Sequence, residues 1–298
     1  MNNNVRIANI VQKIPIFAAV KTLEHIVSPI AAELAQFEAY FARTMKADTE
    51  PMDSIMRYVQ ESQGKRLRPI LVLLSAKLFG EVNEQTIRAA TFVEMVHSAT
   101  LIHDDVVDDA DSRRKKASVK AQFGNLSAVL AGDYLLAKAM LLLSQPDDHA
   151  ILQEMLHTSA AMSEGELMQN TRSLSLSKGR DKKVESSIGR PFDELRDLNY
   201  LGIITRKTAQ LMRSCCVAGA LSVDATPEQV QQITDFGLNF GILFQLRDDL
   251  LDGENTEQAK AMLPFYYEKT LKAMEGFAPS EIVETLKKLT RFCAERGE

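Results

Sequence analysis

The sequence predicts an all-α fold, a bundle of long helices, on three observations. Apolar residues recur at i, i+3, i+4, i+7 spacing through most of its 298 residues. Alternating runs rich in valine, isoleucine and threonine are missing, and so is tryptophan. Chain breakers fall between the periodic stretches: Gly64, Gly80, "QPDD" (145–148), "SKGRDKKVESSIGRP" (177–191), "DATPE" (224–228) and "FAPSE" (277–281).

In chain order, helices are expected over "IVSPIAAELAQFEAYFART" (26–44), "IRAATFVEMVHSATLIH" (87–103) and "LSAVLAGDYLLAKAMLLLS" (126–144). They continue over "ILQEMLHTSAAMSEGELMQ" (151–169), "ITRKTAQLMRSCCVAGAL" (204–221) and "VQQITDFGLNFGILFQLRDDLL" (230–251). The helix that ends in the aspartates of 104–108 should begin near Glu84. No repeat of fixed period is evident, but two aspartate motifs lie about 140 residues apart.

The length and 45% hydrophobic content suffice for a substantial core, read as a single domain over 1–298 with a polar insertion near 173–191 and a shortened region after 252. A net charge of −5 and a pI near 5.7 exclude a general nucleic-acid binder, so a basic cluster reads as a local site. The three cysteines, Cys215, Cys216 and Cys293, have no CxxC spacing, which suits a reducing, cytoplasmic setting. The opening "MNNNVRIANIVQKIPIF" lacks a signal-peptide pattern, and no uninterrupted apolar run reaches bilayer length. A soluble protein is expected, with peripheral membrane contact left open.

"LIHDDVVDDADSRRKK" (101–116) places five aspartates within 104–111 and follows them with four cations. Like charges at i,i+4, such as Asp104 and Asp108, cost roughly 0.2–0.5 kcal/mol per pair on an isolated helix. The negative end of the helix dipole adds to that penalty. A second copy, "FQLRDDLLDG", puts Asp248, Asp249 and Asp252 on one helical face, with Gln245 a turn earlier. Two such clusters facing each other would suit hard divalent cations that keep phosphate oxygens and waters as further ligands. A solvated acidic helix end explains one motif but not two. His97 lies two turns before Asp104 on the same face and points toward the same place.

The cations supply the complement. "QGKRLRP" (63–69) sets Lys65, Arg66 and Arg68 around a helix start, where free backbone N–H groups favour anions. Arg113 and Arg114 follow the first aspartates, and "RKTAQL" offers Lys207 and Thr208. Carboxylates, cations and long apolar helices together describe a site for a diphosphate with an apolar tail.

In "GKRLRP", "HSATLIHDDVVDDADSRR", "GDYLLAKA", "EGELMQ", "KTAQL" and "FQLRDDLLD", in this order over about residues 30–252, the chain resembles the all-trans polyprenyl diphosphate synthases. The resemblance implies an isoprenoid-synthase bundle around a central cavity. It also implies Mg2+-dependent condensation of isopentenyl diphosphate with an allylic diphosphate, by a homodimer. Lys65, Arg68, His97 and Arg114 would hold isopentenyl diphosphate, and Arg113, Lys207 and Thr208 the allylic diphosphate. Asp104, Asp108 and Asp248 would ligate Mg2+, supported by Asp105, Asp249 and Asp252, while Phe244 and Gln245 line the reacting centre. The small Ala99 and Thr100 upstream of the first motif would let the product grow beyond farnesyl, to heptaprenyl or octaprenyl length, toward Met95 and Phe92.

Three departures and three rivals accompany the resemblance. "DGENTEQAKAMLPFYYEK" omits the usual lysine-bearing turn after the second motif, "RRKK" replaces Arg-Arg-Gly, and 173–191 is inserted. A catalytically impaired or partner-dependent subunit is therefore one alternative. A di-iron oxidoreductase is another, built on Glu94-x-x-His97 and Glu154-x-x-His157. A terpene cyclase is the third, opposed by the second DDxxD.

Overall fold

The computed structural model describes residues 23–61, 64–113, 116–177 and 200–296. The described chain is helical apart from one two-stranded hairpin and the connecting turns. It divides into two compact units, each assembled from separate stretches of sequence: 30–154 with 215–226, and 155–214 with 227–298 beside the N-terminal residues.

The first unit contains α1 (Ala31–Thr44), α2 (Glu50–Glu61), α3 (Leu67–Phe79) and α4 (Glu84–Val107). The hairpin β1 (Ser112–Arg113) and β2 (Lys116–Ala117), α5 (Val119–Phe123) and α6 (Asn125–Leu142) follow. The long α7 (His149–Ser177) starts here, and the last turns of α8 (Gln210–Leu221) return to it. α3 is apolar on every side and buried from Pro69 to Ala76, as a central helix must be. It packs on α4, which also lies along α6 and α1.

α4 begins at Glu84, where the sequence places its start, and Asn83 and Thr86 form the capping box at that end. It ends at the first aspartate motif. Asp108 is the C-cap, and Asp109 takes a left-handed φ of 53°, which aspartate tolerates better than most residues. Gly132 on α6 lets the two helices close up beside that motif: a Cβ there would lie 2.1 Å from His103 Nε2. The hairpin was not foreseen, because strands of two residues are too short to show a period of two.

Among the described residues α6 has the length and apolarity to cross a bilayer, although Asp133 and Lys138 interrupt it. Only 28% of it is buried, and Leu126, Leu130, Met140 and Leu141 stand exposed.

The second unit contains the rest of α7, a π-helical turn (Thr205–Ala209) leading into α8, α9 (Pro227–Asp252), α10 (Thr256–Lys272) and α11 (Glu281–Glu295). Tyr200, Ile204, Ile242, Leu243, Leu246 and Tyr266 form its core. α9 packs against the π turn, α10 and α11. After Asp252 the chain turns within three residues, with Asn255 at φ 43°, and enters α10 at once. Lys260 is exposed on α10. Most of the expected insertion, 173–191, lies outside the described residues.

Candidate active site

In the first unit the end of α4 presents three motif aspartates in different settings. Asp104 is half-buried, Asp108 is exposed at the cap, and Asp105 is buried. Arg113 on β1 donates from Nε to Asp105 Oδ1 at 2.8 Å, so one predicted phosphate ligand is already paired with a predicted metal-site carboxylate. Arg114 lies outside the described residues. Asp109 and Asp111 both reach Lys120 on α5, and the hydrogen bond from Lys120 holds the Asp109 carboxyl below its usual range. They pin the turn that follows the motif, of which Asp108 is exposed.

The hairpin that carries Arg113 is fastened to α2. Tyr58 donates its hydroxyl to Ala117 O at 2.8 Å, and Lys116 Nζ sits 3.8 Å from the Tyr58 ring centroid while bridging to Glu61 at 3.0 Å. Neither contact was visible in the sequence. Both join residues more than fifty positions apart.

The three cations of "GKRLRP" part company. Lys65 is exposed. Arg66, the N-cap of α3 at φ 52°, turns inward to Glu94 at 2.6 Å and Glu38 at 2.9 Å, with its guanidinium 4.5 Å from the Phe41 ring centroid. Burial opposes its charge, yet Glu94 and Glu38 hold its pKa above the ordinary arginine value. Arg68 donates from Nη1 to His97 Nε2 at 2.9 Å, which makes that ring nitrogen the acceptor. His97, Asp105, Arg113, Arg66, Tyr58 and Gly64 line one cleft of this unit. The di-iron alternative loses support here, because Glu94 is committed to Arg66 and His97 to Arg68.

Behind the motif Ala99 is fully buried, as are Met95 and Phe92, while Thr100 is half-buried and donates to His97 O at 2.9 Å.

In the second unit Lys207 and Thr208 lie on the π turn, a distortion frequent at functional sites. Lys207 pairs with Glu166 of α7 at 2.5 Å. Gly165 permits that approach, since a Cβ there would lie 2.7 Å from Lys207 N. Thr208 donates to Gln245 Oε1 at 2.7 Å, Gln245 Nε2 donates to Asp249 Oδ1 at 2.7 Å, and Tyr200 donates to Asp249 Oδ2 at 2.5 Å. Asp249 is thereby fixed, like Asp105 in the first motif. Asp252 is exposed at the end of α9.

Asp248 is engaged by Arg296, just past α11. The same guanidinium lies 4.1 Å from the Phe244 ring centroid, and Arg247 donates from Nε to Arg296 O at 2.8 Å. Glu166, Tyr200 and Arg296 are functional candidates that sequence reasoning missed. Glu166 lies within the quoted "EGELMQ", whereas nothing local singles out Tyr200 or Arg296.

Both motifs fit hard cations. Their donors are carboxylate oxygens, and each set already draws a cation from the chain, Arg113 to Asp105 and Arg296 to Asp248. Among the described residues no three acidic, imidazole or thiol groups form a ready-made cage.

Comparison with known proteins bears on the same residues. A profile of the family described as Polyprenyl synthetase matches residues 49–261, which include both aspartate motifs, the "GKRLRP" cations and the π turn. The octaprenyl diphosphate synthase of Escherichia coli (strain K12) is 29% identical over 257 residues, 82% of this chain and 74% of that protein. The heptaprenyl diphosphate synthase component 2 of Geobacillus stearothermophilus is 34% identical over 241 residues, 78% of this chain and 67% of that one. The crystal structure of a polyprenyl synthase from Caulobacter crescentus, complexed with calcium and isoprenyl diphosphate, superposes with a TM-score of 0.79 at 25% identity, covering 94% of this chain and 98% of that one. A decaprenyl diphosphate synthase structure from Rhodobacter capsulatus, at 24% identity and TM-score 0.76, shares the fold. With the profile running through more than half of the sequence and through nearly every site residue described above, the chain belongs to the polyprenyl synthetase family.

Proposed function

We propose that the protein is a Mg2+-dependent prenyltransferase that condenses isopentenyl diphosphate with an allylic diphosphate into an all-trans polyprenyl diphosphate longer than farnesyl, of heptaprenyl to octaprenyl length. The observation that carries the reading is that each aspartate motif is tied to a side chain proposed to hold diphosphate: Arg113 donates to Asp105, and Thr208 reaches Asp249 through Gln245. The similarity to synthases named for octaprenyl and heptaprenyl products supports the chain-length assignment. So does the small, buried Ala99 upstream of the first motif.

Asp104 and Asp108 in one motif and Asp248 in the other are the proposed metal ligands, with Asp105, Asp249 and Asp252 in support. Mg2+, when bound, supplies positive charge that stabilises the departing diphosphate. Lys65, Arg68, His97 and Arg114 hold isopentenyl diphosphate. Arg113, Lys207 and Thr208 hold the allylic diphosphate, with Lys207 kept in place by Glu166. Phe244 and Gln245 border the allylic carbon, and an apolar wall keeps water from the developing carbocation. The C–O bond of the allylic diphosphate breaks, the terminal alkene carbon of isopentenyl diphosphate bonds to the freed allylic carbon, and the CH2 beside the resulting tertiary cation gives its proton to the released diphosphate, restoring an alkene.

The chain is read as one polyprenyl-synthase-like domain, because the family match runs through both compact units. A homodimer through the exposed apolar side of α6 fits the same reading, since Leu126, Leu130 and Leu141 form a surface that water disfavours. A reducing, cytoplasmic setting agrees with three buried free thiols. A partner-dependent subunit is the second reading, favoured by the tight turn after Asp252 and by a relative named as component 2.

The test is incubation of the purified protein with Mg2+, labelled isopentenyl diphosphate and farnesyl diphosphate, followed by chromatography of the products. Elongation by the protein alone is expected. No elongation overturns the main reading and leaves the partner-dependent one.

A further inference from the structure

We propose that Arg296 is the resident counter-cation of Asp248 and leaves it when a divalent metal binds, so that the chain carries a built-in competitor for its own metal. The inference rests on Asp248 being a metal ligand, as proposed above. Four contacts define the seat. One nitrogen of the guanidinium donates to Asp248 Oδ1, and the same Nη2 lies 3.4 Å from Phe244 O. The guanidinium carbon is 4.1 Å from the Phe244 ring centroid, close enough for cation–π attraction. The backbone carbonyl of Arg296 accepts from Arg247 Nε at 2.8 Å, which anchors the residue while its side chain remains able to change partners.

Two features make the seat one that can be vacated. Arg296 is only 8% exposed, yet its Nε is buried without a hydrogen-bond partner, so the arrangement carries the free-energy cost of an unmet donor. A second guanidinium, that of Arg247, lies beside it and donates to the Arg296 backbone carbonyl, so two like charges are held close together. Asp248, by contrast, keeps 31% of its side chain exposed and is within reach of a hydrated ion. A divalent cation at Asp248 would repel the guanidinium by like charge and compete for the same carboxylate lone pairs. Metal affinity is therefore reduced by the fraction of molecules in which Arg296 is seated.

The measurement is Mn2+ binding to the full chain without substrate, followed by the electron paramagnetic resonance signal of free Mn2+, in wild type, Arg296→Gln, Arg296→Lys and Asp248→Asn. Removing the competitor should tighten Mn2+ binding about tenfold in Arg296→Gln, with Arg296→Lys between it and wild type. The rise in melting temperature on adding Mn2+ should grow in the same order. Arg296→Lys keeps the charge, so it covers the case in which the glutamine variant does not fold. No gain in metal affinity in either Arg296 variant, with Asp248→Asn binding less metal than wild type, overturns the competitor and leaves Asp248 as a ligand. Unchanged binding in Asp248→Asn instead removes Asp248 from the metal site, and the inference falls with it.

Discussion

The hydroxyl of Thr208 donates to Oε1 of Gln245 at 2.7 Å, and the amide of Gln245 passes the contact on to Asp249. A residue of the π turn thus sets the orientation of a residue in the second aspartate motif. Thr208→Val keeps the shape and removes the donor. A lost hydrogen bond to a buried polar group is worth about 1–2 kcal/mol, so kcat/KM for the allylic diphosphate should fall by about tenfold or somewhat more. Steady-state kinetics with farnesyl diphosphate varied would show it, and wild-type values would disconnect the two residues functionally.

Asp104→Ala and Asp248→Ala each remove a proposed metal ligand. Turnover should drop by at least about 10²–10³-fold in either variant, as when a preorganised electrostatic contact is deleted. Chelation of the metal in wild type should abolish turnover reversibly, with recovery on adding Mg2+. Near-normal turnover in either variant would withdraw that carboxylate from the site.

Ala99 is fully buried on α4, and Ala99→Phe would fill space that the growing chain is proposed to occupy. The product ladder should shorten toward farnesyl. Overpacking should also cost about 1–3 kcal/mol of stability, so the protein must be shown folded by its melting curve. An unchanged ladder would place the floor elsewhere.

Arg66 and Glu94 form a buried pair at 2.6 Å. Removing Arg66 leaves the buried Glu94 as an uncompensated charge, at a cost of about 3–5 kcal/mol, while removing Glu94 leaves Arg66 with Glu38 alone and costs somewhat less. Arg66→Ala and Glu94→Ala should therefore lower the urea midpoint strongly, and the double variant should cost less than the sum. Additive losses would mean that the two side chains do not interact.

Lys77 and Glu33 join α3 to α1. Burial opposes ionisation of Glu33, but the hydrogen bond from Lys77, a backbone hydrogen bond and the Lys77 charge together outweigh it and lower the carboxyl below its ordinary 4.5. The sign follows from linkage. Stability from this pair is present in full above pH 4.5 and is lost as pH falls through the lower folded value. For Lys77 the hydrogen bond to Glu33 raises the pKa, so its share is lost only as pH climbs above 10.5. Glu33→Gln should reduce the acid-side fall in stability relative to wild type, measured by denaturation at a series of pH values.

The helical class, the start of α4 near Glu84 and its end at the aspartates were legible because each is written within a few neighbouring residues, in an apolar period or a cluster of like charge. Lys207, Thr208 and Gln245 were visible as residue types, but their connection was not. The bond from Thr208 to Gln245 spans 37 positions, and the one from Tyr200 to Asp249 spans 49. Arg296 had no local mark at all, because its significance lies entirely in an ion pair with a residue 48 positions earlier. Arg66 and Arg68 looked equivalent in "GKRLRP", and only the left-handed backbone at Arg66 separates them by turning one inward.

That inward turn affects how strongly ionic strength should act on substrate capture. A reader of the motif counts three positive charges, yet Arg66 is neutralised by Glu94 and Glu38 and shielded against Phe37 and Phe41. A diphosphate approaching this stretch meets little of the Arg66 charge, so added salt has fewer attractions here to screen than the written sequence implies.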